Sequence, residues 1–230
     1  RGPPPPPPPP PRPPTPTVIA MRDVVAIVLC GGASRRMGQS KADLPFGDET
    51  LLERATRQLL DAFEHVVVAA APGQPLPHLD AGRARIVRDA SAYLGPLHGF
   101  STALDALAAS AEFAYLAAVD APGFTPDWPR LLRGRIGDAD AAAAKIGGRV
   151  QPFAALYRVG PAREAVASLH AQGSRQLVSL LDRLAVQWLR EDELATVDPS
   201  GDLFRDLDSP EDYRRALDRM ERESSRFEKG

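Results

Sequence analysis

A single cysteine, Cys30, stands in 230 residues, so no internal disulfide is available and the fold has to be held by burial and hydrogen bonding. One thiol at the end of an apolar run fits a buried core residue in a reducing compartment, and a cytoplasmic protein is expected. No apolar stretch approaches the roughly 18 residues that cross a bilayer, so no membrane partner is expected. Neither sign of charge is in excess: 28 Lys and Arg face 30 Asp and Glu, a formal net charge of -2, which argues against a general nucleic-acid binder. His65, His78, His98 and His170 show neither H-x-x-x-H spacing nor a Cys/His cluster, so no zinc site is indicated. The chain also lacks a G-x-S-x-G elbow, and it has no internal repeat.

Proline, by contrast, is plentiful, and much of it is in one place. An unbroken run from Pro3 to Pro11 continues through Pro13, Pro14 and Pro16. Such a segment cannot bury a core, and residues 1–20 are expected to form a disordered proline-rich tail of polyproline II character. With no apolar h-region it is not a secretory signal. An SH3-type ligand is a second reading of it, and Met21 would be a natural start. One domain is expected over residues 21–220, followed by a charged tail at 221–230.

The chain is organised around VVAIVLCGGASRRMGQSK, Val24 to Lys41. Its β-branched opening reads as a strand buried on both faces, as in a parallel sheet. Gly31 and Gly32 then open a loop carrying Ser34, Arg35, Arg36, Gly38 and Lys41. Glycines let backbone approach a ligand, successive loop N–H groups can line an anion site, and guanidinium groups match phosphate oxygens. The spacing is neither G-x-x-x-x-G-K-[ST] nor G-x-G-x-x-G. L-x-G-G-x-S-x-R-M-G-x-x-K suits a polyphosphate ligand by another pattern. Ser34 would offer its hydroxyl to phosphate rather than act as a nucleophile.

Further along, Thr50 and Glu53 form a capping-box pattern that opens a helix to about Phe63. Strands are expected at 65–71, 85–88 and 113–119, and helices at 95–110 and 126–135. Two later strands, 139–146 and 153–158, flank a Gly147-Gly148 turn. Helices near 161–171 and 175–184, a strand at 185–190 and an extended piece at 203–208 follow, then a closing helix from Ser209-Pro210. The alternation predicts a Rossmann-like three-layer α/β/α fold with a mostly parallel sheet. In such sheets ligands bind outside the carboxyl ends of the strands. The glycine loop, Asp89 and Asp120 all follow strands, so they should converge on one edge.

Phosphoryl chemistry commonly uses Mg²⁺ held by one or two carboxylates and substrate phosphates, and Asp120, in A-V-D-A-P, is expected to be such a ligand. Asp89 can accept hydrogen bonds from a base or ribose, or it can cap the next segment. Asp206 and Asp208 have alternate spacing and face the same way if extended. One could cap the closing helix with the other solvated, or Asp208 could join Asp120 on the metal.

The chain from about Val24 to Leu217 resembles the molybdenum cofactor guanylyltransferases, which join GMP from GTP to the phosphate of molybdopterin. The matching pieces are LCGGASRRMGQSK with LPFGDETLLER, RDASAYLGPLHG, AVDAP, QPFAALYR, GSRQL and DLDSPEDY. The resemblance implies GTP and molybdopterin as substrates, Mg²⁺ as cofactor, and cofactor-delivery proteins as possible partners. It implies nucleotide contacts at Leu29, Cys30, Gly31, Lys41 and Asp89, and metal at Asp120. Lys41 and Arg36 would stabilise the leaving phosphates, with the acceptor near Gln151–Arg158 and Gly173–Gln176. This chain has Cys30 where the family usually has alanine, Gln151 where histidine is common, and aspartates at 206 and 208 where asparagines are frequent. Cytidylyl and sugar-phosphate transferases of the same fold, or a non-catalytic nucleotide-binding regulator, remain the other readings.

Overall fold

The structure, a computed structural model, describes residues 21–31, 40–91 and 94–227. The proline-rich segment and, within the glycine loop, Gly32, Ser34 and Arg36 lie outside the described residues. In chain order the elements are β1 (Val24–Leu29), a 3₁₀ turn (Lys41–Asp43), β2 (Pro45–Phe46), β3 (Glu49–Thr50), α1 (Leu51–Leu60), β4 (Val66–Ala70) and β5 (Ala84–Arg88). Then come α2 (Pro96–Asp105), β6 (Phe113–Ala118), α3 (Asp127–Arg135), β7 (Ala141–Ile146), β8 (Arg149–Arg158) and α4 (Val159–Ala171). The chain closes with α5 (Val178–Leu181), β9 (Val186–Leu189), α6 (Glu191–Val197) and α7 (Pro210–Phe227).

The main sheet runs β5-β4-β1-β6-β8-β7-β9. Its pairs are parallel except where β8 meets β6 and β7, so β8 alone runs against the rest. Side chains of β1 alternate between two cores. Ala26, Val28 and Cys30 join α1, α3 and α6 on one face, whereas Ile27 and Leu29 join α2, α4 and α5 on the other. This is the expected three-layer α/β/α fold. Burial on both faces explains why β1 reads as continuous apolar sequence rather than as an alternating one.

The helices follow local signals. Thr50 accepts from Glu53 N at 3.2 Å while Glu53 Oε2 accepts from Thr50 N at 2.7 Å, a complete capping box at the head of α1. Leu51, Leu52, Ala55, Thr56 and Leu59 form the buried stripe behind it, and each leucine contributes about 1.5–3 kcal/mol of transfer free energy. Ser209 caps α7 in the same way: its Oγ accepts from Asp212 N at 3.2 Å, and Asp212 Oδ2 accepts from Ser209 N at 3.0 Å.

Some expectations shift. The helix expected over 175–184 shortens to α5, and α7 runs into the charged residues beyond 220. α6 has no counterpart in the sequence reading; its first turn holds Glu191, Asp192 and Glu193, whose negative charge favours a helix N-terminus. Residues 203–208 form no strand, because their amides bond elsewhere. Leu203 N donates to Asp198 Oδ2 at 2.9 Å and Leu207 N to Asp120 O at 2.9 Å.

Register fixes the site. Leu29 stands beside both Ala69 and Ala118, and Ala70 beside Arg88. Cys30 and Gly31, Ala71, Asp89 and Asp120 therefore emerge on one edge of the sheet, at the carboxyl ends of four adjacent parallel strands.

Candidate active site

At the middle of that edge the Lys41 ammonium bridges two carboxylates, Asp120 Oδ2 at 2.6 Å and Asp208 Oδ1 at 3.1 Å. The 3₁₀ turn supplies Lys41, the end of β6 supplies Asp120, and the segment before α7 supplies Asp208. The Leu207 N to Asp120 O bond ties the last two together. Burial by itself would lower the lysine pKa, but the hydrogen bonds and charges of Asp120 and then Asp208 outweigh it and raise it, so Lys41 is a fixed cation. Asp208 is free to make this contact because Ser209, not an aspartate, caps α7.

Asp206 is the third acid here. Burial first, then the charges of Asp120 and Asp208, push its carboxyl up to about 6, against the opposing effect of Lys41. Asp206 nonetheless stays exposed at the rim of the site, so the solvated position expected for one aspartate of the pair is kept.

Three strand steps away, at the end of β5, lies Asp89. At about 4.8 Å per strand that is on the order of 14 Å from the β6 end, a span suited to a nucleotide laid along the edge. Asp89 Oδ1 is buried with no hydrogen-bond partner among the described residues. Its other oxygen and Leu29 face Gly99 of α2, where an added Cβ would lie 3.7 Å from Asp89 Oδ2 and 3.6 Å from Leu29 Cδ2. A buried carboxylate oxygen without a donor is costly, and a ligand hydroxyl or amine would satisfy it.

Cys30 is a core thiol. Its Sγ donates to Ala69 O at 3.3 Å, and burial raises its pKa to about 12, which disfavours the thiolate a nucleophile would need. Gly31 has to be glycine for a backbone reason, since a Cβ there would stand 2.9 Å from Ala71 N. Gly95 has φ of 94° and heads α2, and an added Cβ would meet Arg175 O at 2.9 Å. That contact brings the Gly173–Gln176 segment against the Gly95–Gly99 motif. Gln151 lies elsewhere, in a small cavity with Gln58, Phe124 and Asp206, which continues into a groove of about 500 Å³ between α1 and α7. Gln58 Oε1 and Arg54 Nε, both lining that groove, are buried without partners among the described residues. Sequence reading missed both, because on an amphipathic helix they look like ordinary boundary residues.

Among the described residues no group of three His, Cys, Asp or Glu side chains is set to enclose a metal. The Asp120–Asp208 pair is another kind of donor set: two hard oxygens aimed at one cation, the arrangement Mg²⁺ or Mn²⁺ uses when substrate phosphate completes the shell.

The parallel edge, Gly31 close after β1, the lysine and the facing carboxylates define a nucleotidyltransferase of the α/β type. The chain belongs to the MobA-like NTP transferase family, whose domain matches residues 26–187. A relative named "Probable molybdenum cofactor guanylyltransferase" from Mycolicibacterium paratuberculosis is 38% identical over 190 residues, covering 78% of this chain and 93% of that one. Among solved structures, molybdopterin-guanine dinucleotide biosynthesis protein A from Archaeoglobus fulgidus superposes with a TM-score of 0.70 at 22% identity, over 86% of this chain and 99% of that one. A Mycobacterium tuberculosis protein solved as a manganese complex has the same fold, with a TM-score of 0.61 at 21% identity, covering 85% and 98%.

Proposed function

We propose that this chain transfers GMP from GTP to the phosphate of molybdopterin, releasing pyrophosphate. The observation that carries the reading is the Lys41 ammonium held between Asp120 and Asp208 at the carboxyl edge. An acceptor phosphate oxygen attacks the α-phosphorus, the bond to the bridging oxygen breaks, and the electron pair leaves on pyrophosphate. No covalent enzyme intermediate is needed, and the chain's contribution is positioning and charge neutralisation.

Asp89 takes the ribose or base at one end through its buried free oxygen. Lys41, with Arg36 of the glycine loop, stabilises the charge that grows on the leaving phosphates. Asp120 and Asp208 would hold a divalent cation, Mg²⁺ or Mn²⁺, which when bound withdraws charge from the phosphate oxygens. The donor set supports such an ion, and the manganese complex of the M. tuberculosis protein agrees with it. The acceptor lies on the far side of Asp120, toward Gln151 and Asp206.

Pyrophosphate release from GTP, CTP, ATP and UTP tests this, each with and without molybdopterin and with Mg²⁺ or Mn²⁺. Release from GTP, dependent on both acceptor and metal, is expected. A preference for CTP would move the chain to the cytidylyl transferases, and binding without turnover of any nucleotide would make it a regulator.

A further inference from the structure

Gln74 sits in the loop after β4, outside every motif in the sequence, yet its side-chain amide is fully used. Its Oε1 accepts from Ala71 N at 3.1 Å, while its Nε2 donates to Cys30 O at 3.2 Å and to Ser40 Oγ at 3.1 Å. The amide orientation follows from the network: turned over, it would set a donor against Ala71 N and an acceptor against Cys30 O. Cys30 directly follows β1 and Ser40 directly precedes Lys41, so one amide joins the two flanks of the glycine-rich stretch.

The loop under Gln74 is braced on its own account. Arg88 Nη1 donates to Ala71 O and Gln74 O, both at 2.9 Å, and Gln74 N donates to Ala71 O at 3.2 Å. Gly31 packs so closely against Ala71 that a Cβ would stand 2.9 Å from its nitrogen. Ser40 in turn starts the 3₁₀ turn, since Asp43 N donates to Ser40 O at 3.2 Å. Moving Ser40 therefore moves the backbone from which Lys41 reaches Asp120.

We propose that Gln74 is a positioning residue: by tying Ser40 to the end of β1 it sets where the Lys41 ammonium stands between Asp120 and Asp208. The catalytic meaning of that position rests on the proposed function; the position itself does not.

The two are separated by chemistry at the lysine. Lys41 and the exposed Lys145 of β7 are acylated with a limiting amine reagent in nucleotide-free protein, and each is quantified by peptide mass. Gln74→Met, close in volume but without the amide, is expected to raise Lys41 labelling several-fold relative to Lys145. Ser40→Ala, which removes one arm alone, is expected to raise it less, and it carries the test if Gln74→Met does not fold. In parallel, kcat for pyrophosphate release should fall about tenfold in Gln74→Met and hardly further when Lys41→Ala is already present, the non-additivity of residues acting as a unit. Unchanged Lys41 labelling in a folded variant overturns the inference. Raised labelling with unchanged turnover upholds it and sinks the catalytic role given to Lys41 instead.

Discussion

A lysine between two carboxylates is ambiguous taken alone, since surface ion pairs contribute little to stability. Here burial decides: the side chains of Lys41 and Asp120 are 17% and 23% exposed, while Asp208 is 64% exposed. Lys41→Ala is expected to lower kcat by about 10²–10³-fold, the usual cost of losing one preorganised donor. Wild-type turnover would remove the lysine from the mechanism. Asp208→Asn keeps shape and loses one charge. Half-maximal rate should then need several-fold more Mg²⁺, with metal-free stability nearly unchanged, because Ser209 rather than Asp208 caps α7. An unaltered metal titration would leave Asp120 as the sole ligand of the pair. Asp206 makes a different prediction. Its folded-state value, about 6, lies above that of an unfolded aspartate near 3.9, so its stabilising contribution is present below about pH 4 and is lost as pH rises through 6. Asp206→Asn should therefore gain stability over the parent at pH 8 in EDTA, by roughly 1–2 kcal/mol after allowance for solvent screening, and almost none at pH 4. Equal gains at both pH values would refute the electrostatic cause.

Among the elements, β8 shapes the site most and was the least legible. Its ladder with β7 jumps from Ala144↔Gln151 to Ala142↔Leu156, so residues 152–155 stand opposite Ala143 alone, although Ala155 still pairs with Leu116 of β6. Ala154 takes φ of 48°, the one positive φ outside glycine among the described residues. Two buried aromatic side chains satisfy the bulge: Trp128 Nε1 donates to Ala154 O at 2.7 Å and Tyr157 OH to Pro152 O at 2.6 Å. Pro152 in a strand was a sequence signal for this, since proline donates nothing to a ladder. Its partners, distant in sequence, left no trace there. The bulge turns Gln151 and Phe153 toward the cavity beside Asp206. Ala154→Gly should leave stability within about 0.5 kcal/mol of the parent, relief of the left-handed conformation offsetting the more flexible unfolded chain. The same change at Ala155, buried and without positive φ, should cost about 1 kcal/mol. Equal losses at the two positions would mean that Ala154 is unstrained. α1 shows the opposite extreme of legibility, as its capping box and apolar stripe were both local patterns and both formed.

At the scale of the whole molecule, β/α alternation disclosed the layers and the working edge, because parallel strands joined by right-handed crossovers put their carboxyl ends together. It did not disclose the order of the strands or the reversal of β8, which are set by contacts between distant segments. It could not show that Gln74 reaches Ser40 either. The boundary of the folded unit is a further question at this scale. Met21 is buried, its carbonyl accepts from Val24 N at 3.0 Å, and it belongs to the core cluster of α1, α3 and α7. Every strand and helix of the described chain begins after it. A chain starting at Met21 should therefore melt within about two degrees of the full chain, the range in which surface changes usually fall. It should also release pyrophosphate from GTP at the same kcat and KM. Removing Met21 as well is the informative control. Losing a largely buried methionine costs on the order of 2–3 kcal/mol, so a chain starting at Arg22 should melt several degrees lower. Were the Met21 chain to melt as low as the Arg22 chain, or to lose GTP turnover while keeping its melting point, residues 1–20 would have to touch the domain, by packing in the first case and at the site in the second.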